Sequence, residues 1–128
     1  MTADNLSLAG KVAIVTGSGR ENGIGAGIAF ALARNGAAVT INHVSDSSAE
    51  RAAAVAKKII AEGGRAIVVK AAVDQEGAKR LVEQTLKEFN TDHIDILGWC
   101  FSSYPLYKIL HFNLYLLPGS SAKSFACL

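Results

Sequence analysis

Lys11-Val12-Ala13-Ile14-Val15-Thr16-Gly17-Ser18-Gly19-Arg20-Glu21-Asn22-Gly23-Ile24-Gly25 is the stretch on which the reading of this chain turns. Lys11 to Thr16 is a short apolar run halted by a glycine, the pattern of a parallel strand buried on both faces. A helix follows from about Ile24 to Arg34, with Ile28 and Leu32 expected on its inner face and Asn35-Gly36 as its C-terminal stop. Between strand and helix lie Gly17, Gly19, Gly23 and Gly25. A tight turn of this kind brings backbone N–H groups toward a ligand, and glycine leaves room for the approach. The start of the helix adds unsatisfied N–H groups and partial positive charge, which suit a pyrophosphate. The glycines gain their weight from the strand before them and the helix after them.

Working outward, Ala38 to His43 reads as a second strand and Ser45 to Ser48 as a polar turn able to cap a helix. That helix is expected over about Ala49 to Glu62, with Ala52, Val55, Ala56, Ile59 and Ile60 at helical spacing, and Gly63-Gly64 stops it. A third strand opens at Ala66 and continues toward Val73. A third helix begins near Asp74 and carries Ala78, Leu81, Val82, Thr85, Leu86 and Phe89 at steps of three and four. Ile94 to Leu97 begins a fourth strand. Strands alternating with helices imply right-handed crossovers. The fold class expected is α/β, a Rossmann-type parallel sheet with helices on both faces, truncated after the fourth strand.

The chain has 128 residues, 50% of them hydrophobic and 19% charged, which suits one folded domain and excludes a disordered polymer. A net charge of +2 gives no basic surface for nucleic acid. Met1 to Gly10 lacks the apolar core of a signal peptide, and Cys100 and Cys127 have no metal-ligand spacing, so a cytoplasmic protein is expected. The composition breaks sharply near Leu97. Residues 98–128 hold no acidic side chain but seven of the nine aromatics, both prolines and both cysteines. Two segments are therefore expected: residues 1–97 as a nucleotide-binding half-domain, and residues 98–128 as an atypical hydrophobic and aromatic tail. The apolar run Leu106–Leu117 is too short to cross a bilayer, so no membrane association is expected.

Thr16-Gly17, followed by Gly23-Ile24-Gly25, resembles the T-G-x3-G-x-G signature of the short-chain dehydrogenase/reductase family, in its ketoreductase-like branch. Leu8 to Val15, Ala38 to Asn42 and Asp95-Ile96-Leu97 resemble the same family, so the likeness covers about residues 6–97. One departure lies in the loop: five residues separate Gly17 from Gly23, where the signature has three. The resemblance implies a nicotinamide dinucleotide and a hydride exchanged between it and a ketone or an alcohol.

In a dinucleotide fold an acid at the end of the second strand accepts from the ribose 2′-hydroxyl and selects NAD. Here the strand ends Asn42-His43-Val44-Ser45, and the first carboxylate is Asp46, further along the turn. His43 stands where NAD-dependent members carry the acid, and Arg20 where NADP-dependent members carry an arginine able to pair with a phosphate. Ser45 and Ser47 add hydroxyls. The expected cofactor is NADP(H). Its expected contacts are Gly17, Ser18, Gly19, Arg20, Gly23, Ile24, Gly25, Asn42, His43, Ser45, and, on the adenine side, Val73 and Asp74.

The resemblance also implies a catalytic Asn, Ser, Tyr and Lys in the second half of the family's fold. No catalytic residue is assigned here. Tyr104 and Lys108 fit the spacing Y-x3-K beside Ser102 and Ser103, but Pro105 opposes a helix and the pair comes only seven residues after Leu97, so it reads as a chance match. The abrupt change at residue 98 suggests translation through an intron or a frame change. The expected partners are NADP(H), a small carbonyl or alcohol substrate in a complete form, and further copies of the chain, unless the tail itself covers the free edge of the fourth strand. The alternative is an NADP(H)-binding module or a non-functional truncated product.

Overall fold

The computed structural model describes residues 7–20, 22–72, 74–99 and 124–127. In chain order the elements are β1 (Val12–Thr16), α1 (Ile24–Arg34), β2 (Ala38–His43), a 3₁₀ turn (Asp46–Ser48), α2 (Ala49–Ala61), β3 (Arg65–Lys70), α3 (Gln75–Glu88), β4 (Ile96–Trp99) and β5 (Ser124–Cys127). All strand pairings are parallel, and the strands lie side by side in the order β3-β2-β1-β4-β5. The fold is thus the expected Rossmann-type sheet. Its fifth strand comes from the tail, which lays residues 124–127 along the edge of β4. Third and fourth strands run Arg65–Lys70 and Ile96–Trp99, shifted by a few residues from the periodicity's boundaries.

β1 is the centre of the core, buried at every residue. Alternate side chains of a strand point to opposite faces. Ala13 and Val15 pack with Val39, Ile41, Ala29 and Val55 under α1 and α2. Val12 and Ile14 pack with Leu81, Val82, Ile94 and Leu97 under α3. A strand covered on both faces reads as a continuous apolar run, which is why the sequence shows no alternation here.

α1 approaches the sheet through small residues. Gly25, Ala26, Ala29 and Ala33 are its buried face. Ile28 and Leu32, expected on that face, are half-buried at its flanks and pack on the same core from the side. Small side chains let the helix backbone come close, and the larger ones then fill the space beside the contact.

Two buried polar contacts fix the layers. The Asp95 carboxylate accepts from the Val12 backbone N–H at 2.9 Å, while the Asp95 N–H donates to the Val12 carbonyl at 2.9 Å. This locks the start of β1 against the entry to β4. His93 Nε2 lies 3.1 Å from the same carboxylate. On the α3 face, the Thr85 hydroxyl donates to the Leu81 carbonyl at 2.7 Å, which leaves it to accept from the Thr40 hydroxyl at 2.8 Å. Thr40 and Thr85 are both 0% exposed. Replacing Thr85 by Val strands the Thr40 hydroxyl without its partner and should cost about 1–3 kcal/mol in urea unfolding. Adding Thr40→Val removes the orphan and should recover part of that loss; a double variant no more stable than Thr85→Val would show that the pair is not coupled.

Candidate dinucleotide site

The strand order places the site. β2 and β3 lie on one side of β1, and β4 on the other. Connections therefore diverge at the C-terminal ends of β1 and β4, where open α/β sheets leave a crevice for a ligand. The glycine-rich loop leaves β1 at that point.

Gly17 turns the chain with φ +66°, a left-handed conformation that glycine adopts without strain. Ser18 is fully buried. Its hydroxyl donates to the Val15 carbonyl at 2.6 Å and accepts from the Asn42 N–H at 3.2 Å. The Asn42 side chain completes the tie. Its Oδ1 accepts from the Gly17 N–H at 3.4 Å, and its Nδ2 lies 3.3 Å from the Val69 carbonyl and 3.4 Å from that of Ala71. The ends of β1, β2 and β3 are thereby joined. Ser18 and Asn42, expected as cofactor contacts, have their side chains engaged by the protein's own backbone and act as supports of the loop.

Gly19 is buried against the end of β2. A Cβ there would stand 3.0 Å from His43 Cβ and 3.4 Å from Ala52 Cβ. Close packing of protein on protein requires this glycine. Arg20 emerges next and is exposed. Its carbonyl accepts from the Gly23 N–H at 2.9 Å, closing a four-residue turn. Gly23 then caps α1, which begins at Ile24.

The start of α1 has the character of an anion site. Gly23 is its N-cap in extended conformation, with no side-chain cap and no acid in the first turn. The first N–H groups of the helix are left for another acceptor. α3 is built differently: Asp74 caps it, its carboxylate accepting from the Gly77 N–H at 2.6 Å. Ile24 is 78% exposed at the mouth of the loop and Gly25 is buried against the sheet. A glycine cradle running into an uncapped helix fits a dinucleotide pyrophosphate.

His43 is buried at 7% exposure. Its Nδ1 lies 2.9 Å from the Ser45 carbonyl, a distance at which Nδ1–H donates and holds the turn. Sequence alone put His43 where an acid would face the ribose; the structure folds its ring into the turn. Ser45 Oγ lies 2.9 Å from Ser47 Oγ and 3.2 Å from Ser48 Oγ, a hydroxyl cluster at the rim. Asp46 pairs with Lys70 Nζ at 2.6 Å. The hydrogen bond and then the charge of Lys70 hold the Asp46 carboxyl below the usual carboxylate range. Lys70 was not among the residues singled out from sequence. Its signal is its place at the end of an edge strand, opposite His43 in register.

Val73, expected to pack on an adenine ring, lies outside the described residues, as do Ser102, Ser103, Tyr104 and Lys108. Asp74 borders a cavity of about 220 Å³ lined also by Ala71, Ala72, Gly77 and Arg80. Among the described residues no helix is long and apolar enough to cross a membrane.

The sequence profile of the short chain dehydrogenase family matches residues 11–101, and this chain belongs to that family. Among curated relatives, an uncharacterised oxidoreductase of Methylorubrum extorquens is 47% identical over 91 residues, covering 70% of this chain and 34% of the relative. A hydroxynaphthalene reductase-like protein of Metarhizium guizhouense is 44% identical over 92 residues, covering 71% of this chain and 32% of the relative. Among solved structures, a short chain dehydrogenase of Burkholderia cenocepacia in complex with NADP is 44% identical with a TM-score of 0.62, covering 70% of this chain and 35% of that one. The chain spans about a third of the length of the curated relatives it matches.

If Asn42 supports the loop, Asn42→Ala should free the Gly17 N–H and two strand-end carbonyls. A loss of about 1–3 kcal/mol in urea unfolding is expected. Amide exchange should quicken at Gly17–Gly19 while the α3 face stays protected; unchanged exchange in the loop would contradict the role.

Proposed function

We propose that this chain is the NADP(H)-holding part of a short-chain oxidoreductase that passes a hydride between NADPH and a ketone, or from an alcohol to NADP. Residues 1–97 form the holding unit. Gly17, Gly19, Gly23 and Gly25, with the uncapped start of α1, would receive the pyrophosphate. The observation that carries the choice of NADP over NAD is the contact between Gly19 and His43. It brings the loop onto the end of β2, the strand that Ser45 and Ser47 follow, and Arg20 is the exposed residue next to Gly19. A guanidinium and hydroxyls at that rim suit a 2′-phosphate. Val73 and Asp74 would border the adenine. Ser18 and Asn42 hold the loop in place, and buried His43 holds the turn that presents the hydroxyls.

When bound, the nicotinamide supplies the hydride chemistry. Proton transfer to the substrate oxygen would fall to the Tyr and Lys that the family resemblance places in the second half of its fold. Support for a carbonyl or alcohol substrate comes from the relatives' names, one of them hydroxynaphthalene reductase-like. A cytoplasmic location and self-association of the chain belong to the same reading.

Fluorescence titration with NADPH and NADH tests it. NADPH should bind about tenfold or more tightly than NADH, and Arg20→Ala should weaken NADPH by about tenfold while leaving NADH unchanged, since one charge-assisted contact is removed. Equal affinity for the two dinucleotides, or tighter binding of NADH, would refute the choice of cofactor.

A further inference from the structure

Lys70 ends β3, and in the parallel register its Cα stands opposite that of His43, the last residue of β2. Its ammonium reaches across the end of the sheet to Asp46 Oδ1 at 2.6 Å. The two side chains are 49% and 89% exposed, so the pair stands in solvent at the rim. An exposed ion pair of this kind contributes little to folding. Its consequence lies in the charge that the rim presents.

Asp46 is the first carboxylate after β2 and opens the 3₁₀ turn that carries Ser47 and Ser48. It lies further along the turn than the position that selects NAD, but an unpaired carboxylate there would still repel a 2′-phosphate through space. With an ammonium against it, its charge is cancelled and one of its oxygens is engaged. The hydrogen bond and then the charge of Lys70 hold the Asp46 carboxyl below the usual carboxylate range, so it is ionised at neutral pH. The rim then shows the Ser45 and Ser47 hydroxyls, with no uncompensated negative charge from Asp46.

We propose that Asp46 and Lys70 form a specificity-determining charge couple, in which Lys70 neutralises a carboxylate that would otherwise repel a 2′-phosphate and so leaves the site selective for a dinucleotide bearing one. This rests on the NADP(H) reading above. It assigns to Lys70, a residue on the edge strand and outside the glycine loop, a part in choosing the cofactor. It also makes the preference adjustable without touching the pyrophosphate cradle. Losing the ammonium alone exposes a repelling carboxylate, whereas losing both charges restores a neutral rim.

The test is the ratio of NADPH to NADH affinity, measured by fluorescence titration on the unmodified chain, on Lys70→Met, and on Lys70→Met combined with Asp46→Asn. Both positions are exposed, and circular dichroism should show the same fold in all three. In Lys70→Met the ratio should fall by about fivefold, the order expected for one surface charge acting on a phosphate. In the double variant it should return to within about twofold of the unmodified chain. An unchanged ratio in Lys70→Met overturns the proposal. So does a double variant that stays as low as Lys70→Met, because Lys70 would then act on the phosphate directly. An unmodified chain without preference for NADPH overturns the cofactor reading and this proposal with it, and that result is visible before any variant is made.

Discussion

The Asn42 side-chain amide is the tie on which the site depends. Parallel strands end in loops that must run in different directions, and the backbone groups at those ends lose their ladder partners. Asn42 meets the need from one buried position, accepting from Gly17 and donating toward Val69 and Ala71. Ser18 works beside it, joining the loop to the Val15 carbonyl and to the Asn42 N–H. A buried amide is costly when its polar atoms lack partners, and stabilising when they are met. Here they are met by three strand ends at once, so the glycine loop starts from a fixed place.

That place matters because the sheet diverges there. β1 lies between β2 and β4, and both neighbours are held to it by contacts that local sequence does not reveal. Asp95 locks β4 to the start of β1 through paired backbone contacts with Val12. The sheet continues past β4 because residues 124–127 take up its free edge. A strand edge presents unpaired N–H and C=O groups, and any extended segment able to supply partners is favoured there. The tail, so different in composition from the rest, supplies one.

Much of the fold could be read from residue order. β1 is legible because burial on both faces demands an unbroken apolar run, and α1 because Asn35-Gly36 stops it where φ of +105° requires glycine. α3 is legible because its buried face repeats at helical spacing from Ala78 to Thr85. The inner face of α1 is legible only in part: Ile28 and Leu32 pack on the core from its flanks, whereas close approach puts Ala26, Ala29 and Ala33 at its centre. The glycine cradle was legible as a motif. The work of its individual members was not: Gly19 answers to His43 and Ala52, residues far along the chain.

The sequence by itself determined the class of fold, the order of its elements, and the presence of a glycine loop between a buried strand and a helix, because these follow from periodicity and local backbone preference. Only the tertiary structure decided which side chains hold the frame. Ser18, Asn42 and His43 turn inward because nearby strand ends and turns offer them hydrogen-bond partners, and Lys70 reaches Asp46 because parallel pairing brings the end of β3 beside the end of β2. Those partners lie up to 29 residues away in the chain, and contact at that separation is created by strand pairing rather than by any local pattern.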